Sequence, residues 1–232
     1  MSLPLINLAI VDDHTLFRKS LKNYISEQKN MNVVIQSPDI PDLLSKLKDY
    51  YVQILLLDIY MPKMNGNEAV SIIRSEYPDI KILVLSMCTD MSLLSEMLDS
   101  GVYGIISKAD EPEELIRAIT CLADQRIYRN KIFTDLMYWH KQNNLKLDNS
   151  SADLYFNERE KEIVRLLWDE KSNKEIADQL FLSVRSVEKI RQNLKEKIGV
   201  KSTVGLLKYA INKKIIELNH SVIHHSKKMM EM

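Results

Sequence analysis

Two periodicities divide the chain. In the first half, short β-rich apolar runs alternate with amphipathic stretches. The runs are LINLAIV (5–11), NVVIQS (32–37), QILLL (53–57), KILVLS (81–86) and VYGIIS (102–107). Between them, apolar residues recur at helical spacing near 14–28, 41–50, 66–76, 92–100 and 111–124. Strand then helix, five times over, predicts a parallel sheet with both faces covered. The first, third and fourth runs are nearly continuous in apolar residues, as doubly covered strands must be. Such sheets carry their sites at the carboxyl ends of the strands. That rule singles out Asp12 and Asp13, Asp58, Ser86 and Lys108.

The second half has no strand signal. Residues 126–152 begin apolar and end in Asn, Lys, Asp and Ser, which predicts a short helix near 131–141 and then a linker. Phe133, Met137 and the Tyr138–Trp139 pair are expected to pack against one of the two domains. Asn157 precedes Glu160 by three residues, and Ser172 precedes Glu175 by three. Both are capping-box spacings that start helices. A tight turn at FLS leads to Ser183 as the cap of a third helix, which stops at Gly199. A fourth follows over 202–217. The domains read as 1–125, a linker with a short helix over 126–152, a helical domain over 153–218, and a tail over 219–232 expected to fray. In that tail His220 and His224 have i, i+4 spacing but no third ligand for a metal.

Composition adds little. A length of 232 residues suits two domains, and 45% hydrophobic with 28% charged residues is ordinary globular protein. Zero net charge points to no anionic partner for the whole chain. Residues 1–150 carry 16 basic and 20 acidic side chains and 151–232 carry 16 and 12, a weak basic bias in the second half. Cys88 and Cys121 make neither a disulfide framework nor a metal cluster, and packing in a reduced state is expected. No leader and no span of roughly 20 apolar residues is visible, so a cytoplasmic protein with no membrane partner is expected.

The strand-end residues change the picture. Singly, Asp13 reads as a helix cap, Ser86 as a turn cap and Lys108 as a solvated lysine. Together, three carboxylates at one rim repel one another unless a cation is present. Hard oxygen ligands of that kind suit Mg2+, and a nearby lysine and hydroxyl suit a phosphoryl group. The chemistry implied is metal-assisted phosphoryl acceptance.

These residues stand in VDD (11–13), LLLDIYMPKMNG (55–66), LS (85–86) and SK (107–108). In order and spacing, residues 5–124 resemble the receiver domain of two-component response regulators. The resemblance implies an α/β flavodoxin-like sheet in the order 2-1-3-4-5, with Asp58 as phosphoacceptor. It further implies Mg2+ held by Asp12, Asp13, Asp58 and the backbone carbonyl of Tyr60. Lys108 would pair with the phosphoryl oxygens and Ser86 would hydrogen-bond one of them. A phosphatase of the haloacid-dehalogenase type needs a second acid two residues after Asp58, where Tyr60 stands. A dinucleotide site needs a Gly-rich turn where Asp12-Asp13-His14 stands. A regulator, not an enzyme, is expected. Two positions depart from the receiver pattern. Ile105 occupies the place of an aromatic switch residue, with Tyr103 expected on the same strand face. Ala109 replaces a common proline, so a cis peptide after Lys108 is not favoured by residue type.

In the second half, two short helices joined by a tight turn suggest a helix-turn-helix. Val187, Leu194 and Ile198 share one face of the third helix, with Ile190 at its edge; Arg185, Glu188, Lys189, Gln192 and Glu196 share the other. Such a face is either plain solvated surface or a reader of base edges. The pieces SNKEIA, FLS, SVE and KIGV resemble an output domain of the LuxR/NarL type, over 156–216. The resemblance implies an all-α four-helix domain. It places Lys174, Arg185, Ser186 and Arg191 near phosphates and Glu188, Lys189 and Gln192 facing bases. It makes the fourth helix, with Leu206, Leu207, Ala210 and Ile211, a homodimer contact on DNA. A Gly common after the first helix is replaced within Asp169-Glu170-Lys171, and a His common in the reading helix is Ile190. The implied function is a phosphorylation-controlled DNA-binding transcriptional regulator. Its implied partners are a sensor histidine kinase, promoter DNA and, at the promoter, RNA polymerase. The alternatives are a receiver acting as a protein-interaction module, or a DNA-binding regulator without phosphorylation control.

Overall fold

The structure is a computed structural model that describes residues 4–61, 64–87, 90–144 and 156–218. Strands β1 (Ile6–Val11), β2 (Met31–Ser37), β3 (Ile54–Asp58), β6 (Lys81–Ser86) and β7 (Gly104–Ser107) form one parallel sheet in the order β2-β1-β3-β6-β7. Between β3 and β6 the chain adds a two-residue antiparallel pair, β4 (Tyr60–Met61) with β5 (Met64–Asn65). Setting that small pair aside, the order is the flavodoxin-like 2-1-3-4-5 expected from the sequence. The connecting helices are α1 (Thr15–Ser26), α2 (Ile40–Lys46), α3 (Gly66–Glu76), α4 (Met91–Asp99) and α5 (Pro112–Ala123).

Strand alternation builds two cores. Leu8, Ile10, Ile54, Leu56, Leu83, Leu85 and Ile106 face α1 and α5, where Ile25, Leu115 and Ile119 cover them. Ala9, Val11, Leu55, Leu57, Ile82, Val84 and Ile105 face the opposite way. That second core does not end with the sheet. It continues through Phe133, Leu136 and Met137 of α6 (Lys131–Asn144) into Ile163, Val187, Leu206 and Leu207 of the C-terminal helices. Phe133 and Met137 are therefore shared between the domains.

The C-terminal helices are α7 (Glu158–Trp168), α8 (Asn173–Gln179), α9 (Val184–Ile198) and α10 (Thr203–Asn212). Asn157 and Ser172 both form reciprocal capping boxes, and Ser183 caps α9 through the Ser186 amide at 3.0 Å. Gly199 closes α9 in the left-handed region at φ +74°, where a Cβ would be strained. Two helices end earlier than the periodicity suggests. The chain turns after Lys46, and Lys214 at φ +56° breaks the line of α10.

The segment between the domains is tied to the sheet edge. Tyr128 N donates to Tyr103 O at 2.8 Å, and Asn130 Nδ2 donates to Ile105 O at 2.9 Å. Gly104 makes this approach possible, because a Cβ there would lie 2.9 Å from the Tyr128 Cβ. Tyr103 does not share the face of Ile105 as expected; it packs against the α1/α5 core. The strand begins only at Gly104, so its alternation does not reach residue 103. Cys88, the tail histidines His220 and His224, and most of the region between α6 and α7 lie outside the described residues.

Candidate functional site

The strand-end residues converge where the apolar strands stop. The β3 run Ile54–Leu57 is fully buried and delivers Asp58 at 1% exposure to the rim. Its neighbour β1 ends at Val11 and delivers Asp12 at 0%. Lys108 follows β7 and reaches back across the sheet. Its Nζ donates to Asp12 Oδ2 and to Asp58 Oδ2, each at 2.7 Å. Burial opposes the Lys108 charge, but the hydrogen bonds to Asp12 and Asp58 outweigh it and hold its pKa above the usual lysine value. The same ammonium lies 4.7 Å from the Phe17 ring centroid, a cation–π contact from α1.

The remaining oxygens are held open by backbone donors. Tyr60 N donates to Asp58 Oδ1 at 3.1 Å, and His14 N donates to Asp12 Oδ1 at 2.7 Å. Arg18 donates to the Asp12 carbonyl. Asp13 does not cap α1; His14 stands at that position, without a side-chain cap bond. His14 Nδ1 is 2.9 Å from Asp13 Oδ1 yet not aligned to donate, so this buried oxygen has no hydrogen-bond partner. A buried carboxylate oxygen without a hydrogen bond is costly and fits a cation ligand. One ligand atom from each of Asp12, Asp13, His14 and Asp58 falls within 4.8 Å of the others. Ser86 is 2% exposed at the end of β6, one residue past the Leu85 that pairs with Asp58. Lys108 N donates to its carbonyl at 2.9 Å. Phe17, Arg18 and His14 were not read from the sequence as site members, although their place just after Asp13 could have suggested it. Ile105 is 1% exposed, and among the described residues no peptide bond is cis.

The second candidate surface is the outer face of α9. Arg185, Glu188, Lys189 and Gln192 are exposed there, and Lys174 is exposed on α8. Ser186 is half-buried, its Oγ 2.8 Å from that of Ser183. Gln192 donates to Glu196 at 2.7 Å. Arg191 behaves differently. It turns inward, donating to Asn173 of α8 and to Thr203 Oγ1 of α10 at 2.9 Å, and burial lowers its pKa. Sequence reading missed a third feature, Lys208 on α10, buried against α4 of the other domain. A lone lysine within the apolar run GLLKYAI was the available signal.

Comparison with known proteins follows the same division. Residues 8–120 match the response regulator receiver domain, and residues 155–210 match the bacterial regulatory proteins of the luxR family. The oxygen regulatory protein NreC of Staphylococcus aureus (strain JH9) is 32% identical over 221 residues, covering 91% of this chain and 100% of NreC. The RcsB response regulator of Salmonella typhimurium shares the fold, with a TM-score of 0.57 at 24% identity over 89% of this chain and 98% of that one. The isolated receiver domain of RcsB from Salmonella enterica serovar Typhimurium is 25% identical over 57% of this chain and 98% of its own, with a TM-score of 0.54. No helix among the described residues is long and apolar enough to cross a membrane. The chain belongs to the response regulators that join a receiver domain to a LuxR-type DNA-binding domain and act in transcription regulation.

Proposed function

We propose that Asp58 accepts a phosphoryl group from a phosphohistidine of a sensor kinase, and that this controls DNA binding by residues 153–218. The carrying observation is the Lys108 ammonium shared at 2.7 Å by Asp12 and Asp58. It marks a buried acidic site built for one compensating cation. An Asp58 oxygen attacks phosphorus in line with the departing imidazole nitrogen; the P–N bond breaks as the O–P bond forms. Asp12, Asp13 and Asp58, with the Tyr60 carbonyl, would hold Mg2+, and the buried Asp13 oxygen without a hydrogen bond supports that fit. When bound, Mg2+ neutralises charge on the acceptor and on the transferring group. Lys108 would then shift from Asp12 to a phosphoryl oxygen, and Ser86 would donate its hydroxyl to another. Both follow strand ends, so their loops are drawn inward.

For the DNA face, Lys174, Arg185 and Ser186 meet phosphates, while Glu188, Lys189 and Gln192 meet bases. Arg191 suits a positioning role, since it bonds α8 and α10 to α9. The chain then binds as a homodimer, with a kinase and RNA polymerase as further partners. Residues 1–125 would be the receiver, 126–152 the linker and 219–232 a tail. Incubation with Mg2+ and acetyl phosphate should add one phosphoryl group that hydroxylamine removes, and Asp58→Asn should abolish it. Equal labelling of Asp58→Asn would sink the assignment.

A further inference from the structure

His14 stands at the acid site with no structural role of its own. It occupies the N-cap position of α1, yet its side chain makes no cap bond and is 70% exposed. Packing therefore does not hold the ring where it lies. The backbone does: the His14 amide donates to Asp12 Oδ1 at 2.7 Å and fixes residue 14 beside the carboxylates. His14 Nδ1 comes to 2.9 Å from Asp13 Oδ1 and 3.3 Å from Asp12 Oδ1.

Those spacings match ligands around one ion. Cis ligands on an octahedral ion with bonds of about 2.1 Å stand about 3.0 Å apart, and trans ligands about 4.2 Å apart. Both contacts of the imidazole fall near the cis value. The full set, one atom each from Asp12, Asp13, His14 and Asp58, lies within 4.8 Å, slightly wider than the trans value. A hydrogen bond does not account for the shorter contact, because Asp13 Oδ1 is buried and accepts none. Lys108 supplies one positive charge, but its Nζ goes to Asp12 Oδ2 and Asp58 Oδ2. The oxygens on the other side, Asp12 Oδ1 and Asp13 Oδ1, face the imidazole.

We propose that His14 Nδ1 is a metal ligand, and that the acid site therefore takes a first-row transition ion, such as Mn2+, in preference to Mg2+. Imidazole nitrogen binds first-row transition ions well, whereas Mg2+ is held by oxygen and gives up its waters reluctantly. With Mg2+ the ring stays outside, and water fills the position nearest it. With a transition ion the ring displaces that water and adds a bond. His14 thus sets which ion is held, and the three carboxylates set whether one is held at all. The proposal rests on the reading of Asp12, Asp13 and Asp58 as a cation site. It adds to that site a fourth side chain and a choice among ions.

The test uses the full-length chain and Mn2+, whose free aqua ion is counted by its electron paramagnetic resonance signal. Pulsed resonance of the bound ion should show coupling to a directly bound nitrogen, and His14→Ala should abolish it. No cap bond is lost with the ring, so the variant should fold as wild type does. His14→Ala should weaken Mn2+ binding about tenfold more than Mg2+ binding, with Mg2+ measured by competition. His14→Gln, which offers an oxygen but no imidazole, should lose the nitrogen coupling as well. Bound Mn2+ without nitrogen coupling would leave His14 an ion-pair partner of Asp13 and overturn the proposal. So would coupling that survives in His14→Ala, which would assign the nitrogen to Lys108, or equal losses of Mn2+ and Mg2+. In each of these cases the carboxylate site still stands as a cation site. If wild type binds neither ion at millimolar concentration, the cation-site reading itself falls, and the His14 proposal falls with it.

Discussion

Glu170 accepts a hydrogen bond from Arg129 Nε at 2.8 Å while its own backbone sits in the left-handed region at φ +60°. The residue follows α7, within the run Asp169-Glu170-Lys171. A side chain there costs about 1 kcal/mol or more in backbone strain. The compensation is a tie between domains: Arg129 belongs to the segment before α6, and its guanidinium also lies 4.6 Å from the Trp168 ring centroid. The pair is partly exposed and contributes about 1 kcal/mol at most. Two variants separate these effects. Glu170→Ala keeps the strain and loses the ion pair; Glu170→Gly loses both. Urea unfolding should find Glu170→Gly more stable than Glu170→Ala by about 1 kcal/mol. Equal stabilities would show that the left-handed turn carries no strain.

Removing Lys108 leaves two buried carboxylates facing each other. Breaking a buried ion pair from one side costs about 3–5 kcal/mol. Lys108→Ala should therefore unfold at markedly lower urea concentration than wild type. Because the proposed cation site is made of the same acids, Mg2+ should rescue the variant more than it stabilises wild type. Urea midpoints with and without millimolar Mg2+ check this. Equal Mg2+ gains in the two chains would show that the acids released by Lys108 do not bind the ion.

The edge of β7 gives a test of how the linker is held. A Cβ on Gly104 would sit 2.9 Å from the Tyr128 Cβ and 3.1 Å from Leu83 Cδ1. The Tyr128 Cβ is fixed to its backbone and Leu83 is fully buried in the sheet core, so the linker must move away. Gly104→Ala should cost about 1–3 kcal/mol as an overpacked contact. It should also speed exchange of the Tyr128 amide, which donates to Tyr103 O. Unchanged exchange would place the tie elsewhere.

How much of this was legible in the sequence depends on the distance over which each signal acts. Strand 3 could be read from Ile54–Leu57, and so could the presence of Asp58 at its end, because apolar runs and strand termini are local. The capping boxes at Asn157 and Ser172 are local as well, and both form. Tyr103 was misplaced because alternation holds only inside a strand, and β7 starts one residue later. The partners of Lys208 lie 109 and 113 residues away in the chain. Nothing in GLLKYAI names them; the run shows only that a lysine has been put where apolar residues belong. The Asp169-Glu170-Lys171 run was visible as a departure from a glycine pattern, but the pairing of Glu170 with Arg129 needs the folded chain.

Acid should loosen the same junction that Lys208 spans. Burial first, and then the Lys208 charge, lower the pKa of His140 from 6.5 to about 4, with Asp99 opposing them. The groups around it include Lys208 and Asn212 on α10 and Asp99 on α4. A histidine with a depressed folded-state pKa takes its proton more readily when unfolded. Above pH 6.5 neither state is charged and its contribution to stability is full. As pH falls from 6.5 toward 4 the unfolded chain binds the proton and the folded chain does not, so stability is lost across that window. His140→Gln cannot titrate and still offers an oxygen to Asn212. The urea midpoint of wild type should therefore drop further between pH 7 and pH 5 than that of His140→Gln. Parallel pH profiles for the two chains would remove His140 as the titrating group.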